Sequence, residues 1–233
     1  MSFIELRNIT KTYGSKETEI KALDNITFSI EKNECIVILG ASGAGKSTLL
    51  NVIGGMDFAT SGSYIVNEKE VTKYNDKEMA LFRRNKVGFV FQFYNLMPNL
   101  TALENVMLST QHIDDAMQPE LALEMVGLKN RINNFPANLS GGEQQRVSIA
   151  RAIAKKPDIL LCDEPTGALD SKTGKHILTI LKNISKTGDE CVIIVTHNAN
   201  IALVADRVIR LSDGKIISDE KNPHPKDVEE IEW

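Results

Sequence analysis

The run Gly40-Ala41-Ser42-Gly43-Ala44-Gly45-Lys46-Ser47-Thr48 constrains this chain more than any other stretch. It follows the apolar segment Cys35–Leu39 and precedes Leu49–Ile53, so it sits between a buried strand and a helix. Gly40, Gly43 and Gly45 let the backbone turn tightly and bring its N–H groups up to an anion. The helix that starts near Lys46 adds the positive end of its dipole. Lys46 is placed to reach the β- and γ-phosphates of a nucleoside triphosphate, and the Ser47 hydroxyl to ligate Mg²⁺. The loop therefore implies a bound nucleotide and leaves open what the nucleotide is for.

Short apolar runs alternate with helical patterns along the chain. Cys35–Leu39, Val87–Phe91, Ile159–Cys162 and Val192–Val195 are nearly continuous hydrophobics, as expected of strands buried on both faces. Segments 47–53, 76–84, 142–154 and 173–184 read as helices between them. That alternation predicts an α/β fold with a mostly parallel sheet. Phe3–Leu6, Ile26–Ile30 and Ser63–Val66 are shorter and separated by turns, which predicts an N-terminal antiparallel β-subdomain. Residues 93–157 contain no buried-strand run and read as a helical insert, with helices at Glu104–Leu108 and Glu120–Val126. The expected division is 1–91 with 158–217 as nucleotide-binding core, 92–157 as α-helical subdomain and 218–233 as an acidic tail. Residues 218–233 carry six acids, two lysines, Pro223 and Pro225, a composition that predicts a solvated, disordered end. Trp233 is the one residue there that suggests docking on a partner.

In open parallel sheets ligands sit at the carboxyl ends of the strands. Polar residues follow all four buried runs: the phosphate loop after Leu39, Gln92 after Phe91, Asp163-Glu164 after Cys162, and Thr196-His197 after Val195. A shared edge would bring them together around the phosphates. Asp163 suits a partner of Mg²⁺, Gln92 a ligand through its amide oxygen, and Glu164 a group that accepts a proton from an attacking water. His197 suits a hydrogen bond to the γ-phosphate. Singly, each has an ordinary alternative: a loop start before Pro165, a structural histidine, a surface glutamine. Together with the loop they point to phosphoryl transfer to water.

A second anion-binding feature is Leu139-Ser140-Gly141-Gly142-Glu143-Gln144-Gln145-Arg146. Ser140 is an N-cap, and the glycines free backbone N–H groups at the start of a helix. By itself this is also an ordinary cap.

The order of these elements resembles that of ABC transporter ATPases. Leu139–Arg146 is similar to that family's signature, with Walker A at Gly40–Thr48, the Q-loop at Gln92, Walker B at Ile159–Glu164, the D-loop at Ala168-Leu169-Asp170 and the switch at His197. Tyr13, in Lys11-Thr12-Tyr13-Gly14, is similar to the aromatic that stacks on adenine. The run Val87–Val106, together with Asp163–Asp170, resembles the MacB/LolD/FtsE-like subfamily, whose ATPases pair with FtsX-like permeases. Cys162 departs from the small or apolar residue usual there.

The resemblance implies the ABC ATPase fold with its P-loop NTPase core, ATP and Mg²⁺ as cofactors, and a homodimer in the ATP-bound state. In that dimer Ser140, Gly141 and Gly142 would close over the partner's γ-phosphate, and Asp170 and His197 would link the two sites. It also implies a MacB-type or FtsX-like permease that exports lipoproteins, peptides or drugs, received near Phe93, Tyr94, Leu96 and Met97. Ordinary packing within the insert is the alternative for those four. A second class resembles FtsE, or peptide-antibiotic sensors, and transmits motion without cargo. Soluble repair or translation ATPases fit less well, since there is neither a long heptad segment nor a second core.

Composition agrees with this reading. The net charge is −4, so nothing in the balance argues for nucleic acid. No apolar stretch reaches the ~20 residues that span a bilayer, and Met1–Arg7 lacks a signal-peptide layout, which predicts a cytoplasmic protein; the resemblance implies that it sits peripherally on the inner face of the cell membrane through its permease. Cys35, Cys162 and Cys191 lie in apolar runs without metal-ligand spacing and read as buried free thiols.

Overall fold

The structure, a computed structural model, describes residues 2–15, 18–188 and 190–232; Trp233 lies outside them. The chain runs β1 (Ile4–Tyr13), β2 (Ile20–Ile30), β3 (Cys35–Leu39), α1 (Lys46–Ile53), β4 (Ser61–Val66), β5 (Lys69–Glu70), α2 (Asp76–Lys86) and β6 (Val87–Val90). Then follow α3 (Ala102–Thr110), α4 (Pro119–Met125), α5 (Gly141–Ile153), β7 (Ile159–Asp163), α6 (Ser171–Thr187), β8 (Cys191–Thr196), β9 (Arg207–Ser212) and β10 (Lys215–Lys221).

Two sheets form the frame. The first is four-stranded, in the order β2-β1-β4-β5, and antiparallel throughout. The second is six-stranded, in the order β10-β9-β3-β8-β7-β6. In it β9, β3, β8, β7 and β6 are parallel, and only β10 runs the other way.

The continuous hydrophobicity of β3, β7 and β8 follows from burial of both sheet faces. Ile36, Ile38, Ile159, Leu161, Ile193 and Val195 face the layer made by α1, α2 and the antiparallel sheet. Val37, Leu39, Leu160, Cys162, Val192 and Ile194 face α5, α6 and the helical insert. Period-two alternation divides each strand between two cores. Each such side chain contributes about 1.5–3 kcal/mol relative to exposure.

Local signals set the helix starts. Asn75, Thr101 and Ser140 each close a capping box with the glutamate three residues on, at α2, α3 and α5. The insert packs through α3, α4 and α5, with Ala102, Val106, Ala122, Leu123 and Val147 fully buried.

Two expectations are corrected. Residues 207–212 and 215–221 form a hairpin at the edge of the central sheet that the apolar runs did not reveal. Residues 218–232 are also not a free end. β10 continues to Lys221, and Arg207 holds Asp219 through two 2.5 Å bonds. Val228 and Ile231 are buried against the α6 side of the core. Lys175 and Lys182 of α6 donate to the carbonyls of Glu229 (2.9 Å) and Lys226 (2.7 Å). Two apolar side chains and paired backbone carbonyls outweigh the acidic composition of that segment.

Candidate functional site

The phosphate loop leaves β3 and enters α1 through two glycines at positive φ, Gly43 (80°) and Gly45 (98°). Gly45 is also closely covered: a Cβ there would lie 2.4 Å from the carbonyl oxygen of Ala22. At Gly43 nothing stands within 4 Å, so that position faces open space. At Gly40 a Cβ would lie 2.5 Å from the Leu211 carbonyl oxygen. The β9–β10 turn braces the loop from behind, since the Gly214 N–H donates to the Ala44 carbonyl at 3.0 Å. Lys46 is buried, and its ammonium donates to the carbonyls of Gly40 (2.8 Å) and Ala41 (2.9 Å).

Because the core strands are parallel, the ends of β3, β6, β7 and β8 share one edge. A cleft of about 800 Å³ opens there, lined by Ser42, Gly43, Gly45, Lys46, Ser47, Thr48, Gln92, Asp163, Glu164 and His197. The strand-end residues expected to meet do meet. Burial pushes the Asp163 carboxyl above its usual range; the Ser47 hydroxyl opposes this, and the neighbouring Glu164 charge adds to it. Asp163 and Ser47 thus face the same cleft.

Glu164 adopts φ 45°, a left-handed conformation that costs a non-glycine residue of order 1–3 kcal/mol. Its N–H donates to Val195 O at 2.9 Å. Its carboxylate is held at both oxygens: Thr196 Oγ1 donates to Oε2 at 2.9 Å, and the His197 N–H donates to Oε1 at 3.0 Å. The His197 ring Nδ1 lies 2.7 Å from the same Oε1.

Other residues singled out lie elsewhere. Tyr13 does not line the cleft; its hydroxyl donates to Asp57 at 2.6 Å, and Lys11 Nζ sits 4.8 Å from its ring centroid. Burial, then the Asp57 hydrogen bond, raises the Tyr13 phenol above its ordinary range. Ser140, Gly141 and Gly142 open α5 away from the cleft. Asp170 caps α6, accepting from Thr173 N (3.1 Å) and Oγ1 (2.7 Å). Thr173 in turn fills the space beside Gly142, where a Cβ would lie 2.2 Å from its Cγ2.

The loop after Gln92 is fixed to α5. Arg151 donates to the carbonyls of Tyr94 (2.8 Å) and Asn95 (2.6 Å), both at positive φ. Phe93 is 77% exposed and Met97 54%, whereas Leu96 packs on the core and Tyr94 is half-buried.

Sequence reasoning missed Ile20, Lys21, Ala22, Asp213 and Gly214, which complete the cleft wall. Asp213-Gly214 carried a signal. Both residues have positive φ (47° and 73°) in a two-residue hairpin turn, the conformation that Asp-Gly favours.

Chemically, the cleft combines the backbone of the phosphate loop with ammonium, hydroxyl, amide, imidazole and carboxylate side chains. That set suits a polyphosphate whose terminal group is attacked by water.

Comparison with known proteins agrees with this geometry. The ABC transporter family profile matches residues 23–167. The macrolide export ATP-binding/permease protein MacB of Mannheimia succiniciproducens is 44% identical over 230 residues, covering 97% of this chain and 36% of that protein. An ABC transporter ATP-binding protein of Mycoplasma pneumoniae, the MG065 homolog, is 46% identical over 233 residues, covering 99% of this chain and 50% of that protein. The chain therefore spans between about a third and a half of the length of these relatives. Among solved structures, the ATP-binding cassette MJ0796, a dimer in a post-hydrolysis state bound to ADP and Pi, superposes with a TM-score of 0.86 at 43% identity. That match covers 94% of this chain and 98% of the other. Among the described residues no helix is long and apolar enough to cross a membrane. Fold, cleft and relatives agree that this chain belongs to the ABC transporter family, as one of its ATP-binding cassettes.

Proposed function

We propose that the chain is an ATP-hydrolysing subunit that dimerises on ATP and drives a membrane permease of the MacB or FtsX-like type, exporting lipoproteins, peptides or drugs. It would sit peripherally on the inner face of the membrane through that permease. The observation that carries the reading is the split of its two anion sites. Lys46, Ser47, Gln92, Asp163, Glu164 and His197 share one cleft, while Ser140, Gly141 and Gly142 lie outside it. A second copy offering its α5 N-terminus to the cleft accounts for both.

In this reading the loop amides and Lys46 hold the β- and γ-phosphates. Lys46 exchanges its present bonds to Gly40 and Ala41 for phosphate oxygens. Glu164 accepts the proton of the attacking water, and His197 contacts the γ-phosphate. The Ser47 hydroxyl, the Asp163 carboxylate and the Gln92 amide are hard oxygen donors lining the same cleft, a set that fits Mg²⁺. When bound, the ion would neutralise phosphate charge. Tyr13 would meet the adenine by freeing its ring from the Lys11 and Asp57 contacts. Exposed Phe93 and Met97 suit contact with an apolar segment of the permease.

Steady-state phosphate release tests the reading. Glu164→Gln should retain ATP binding and lose at least ~100-fold in turnover, the range of a general base. Lys46→Ala should weaken ATP binding. Near-wild-type turnover in the first variant, or unchanged affinity in the second, contradicts the assignments.

A further inference from the structure

We propose that Thr196 is a positioning residue for the Glu164 carboxylate, setting the orientation from which Glu164 acts on water. The inference rests on the reading of Glu164 as the proton acceptor.

Thr196 ends β8, paired in register with Leu39, the last residue before the phosphate loop. One strand further across the sheet, Asp163 pairs with Val195, so Glu164 and Thr196 leave their strands side by side. The Thr196 side chain is 1% exposed. Its Oγ1 accepts the Asn198 N–H at 3.1 Å and donates to Glu164 Oε2 at 2.9 Å. A hydroxyl has one proton to give. With Asn198 occupying an acceptor position, that proton is directed at the carboxylate, and the bond has one polarity.

The other anchors of Glu164 are weaker in kind or shared with function. The His197 side chain is 69% exposed, so water competes for its contact, and the same ring is assigned to the γ-phosphate. The His197 N–H holds Oε1 but leaves the carboxylate free to pivot about that atom. Glu164 also starts from a left-handed backbone, so its neighbours rather than its own preferred conformation must fix the side chain. The buried Thr196 bond supplies the second point. It leaves lone pairs of both oxygens for the cleft, and it survives when His197 turns toward phosphate.

The test is steady-state ATPase kinetics on Thr196→Val, Thr196→Ala and Thr196→Ser in the full chain, with ATP affinity and thermal unfolding measured alongside. If the hydroxyl positions Glu164, kcat follows the hydroxyl. Val and Ala should lose about tenfold, one charge-assisted hydrogen bond's worth, and Ser should stay within about threefold of the parent. ATP affinity should be unchanged, because the phosphate loop is untouched. If Val fails to fold, Ala against Ser reads the same comparison. Val or Ala turning over like the parent, Ser falling as low as Val, or a loss confined to KM would overturn the proposal. Glu164→Gln run in parallel separates the two readings. If that variant keeps its turnover, the role of Glu164 fails; if it is inactive while Thr196→Val is unaffected, only the Thr196 role fails.

Discussion

The phosphate loop contains two glycines that a sequence treats alike and the structure does not. Gly43 and Gly45 both have positive φ, so alanine at either carries a left-handed penalty of about 1–2 kcal/mol. At Gly43 that is the whole cost, because nothing lies within 4 Å of the added Cβ. At Gly45 the Cβ would lie 2.4 Å from Ala22 O and 3.3 Å from Leu23 Cδ2. The first is a backbone carbonyl in β2 and cannot rotate away, so β2 or the loop must shift. Overpacking of that kind adds roughly 1–3 kcal/mol. For a chain of this size 1 kcal/mol moves the midpoint by about 2–4 °C. Gly45→Ala should therefore unfold at least ~2 °C, and up to ~12 °C, below Gly43→Ala. Thermal unfolding followed by circular dichroism without nucleotide isolates this effect from phosphate contacts. Equal midpoints, or Gly43→Ala as the less stable, would refute the assignment of Gly45 as a packing position.

Two further outcomes follow from other parts of the fold. Ile231 is 2% exposed in the core formed with α6, so Ile231→Ala should cost about 2–5 kcal/mol, and a midpoint shift under ~1 °C would contradict docking of the C-terminal segment. Lys155, whose ammonium donates to Arg83 O at 3.0 Å, is brought down from 10.5 to about 8 by burial and the nearby Arg151 charge. The unfolded chain then binds more protons at this site between pH 8 and 10.5, so stability contributed here rises with pH across that window. Urea midpoints should rise with pH in the parent relative to Lys155→Met; parallel profiles would count against a desolvated Lys155.

What the sequence made legible followed from burial. β3, β7 and β8 are covered on both faces, so they appear as unbroken apolar runs, and the residues just after them had to share an edge. Asp163, Glu164, Gln92 and His197 were found that way. β9 was harder to see because it is interrupted by Arg207 and Arg210, and β10 because it alternates with solvent-facing lysines and acids. The Asp213-Gly214 turn between them was the available signal. Ile20, Lys21 and Ala22 carried none, since their place in the cleft depends on β2 passing under Gly45, a tertiary contact with no local pattern. The C-terminal segment misled through composition. Val228 and Ile231 are only two apolar residues among acids, yet they enter the core while Lys175 and Lys182 take neighbouring carbonyls. Tyr13 stands between these cases: its position in the chain suggests a base-stacking role, and its hydroxyl is held by Asp57.

The central claim is that this chain carries half of each of two sites and functions as a dimer closed by ATP. Sedimentation of Glu164→Gln with and without ATP tests it most directly, because hydrolysis no longer disperses the complex. The account predicts a monomer without nucleotide and a dimer with ATP, lost again when Gly142 is replaced by a residue whose Cβ meets Thr173. A monomer at saturating ATP, in a variant shown to bind it, would contradict the account.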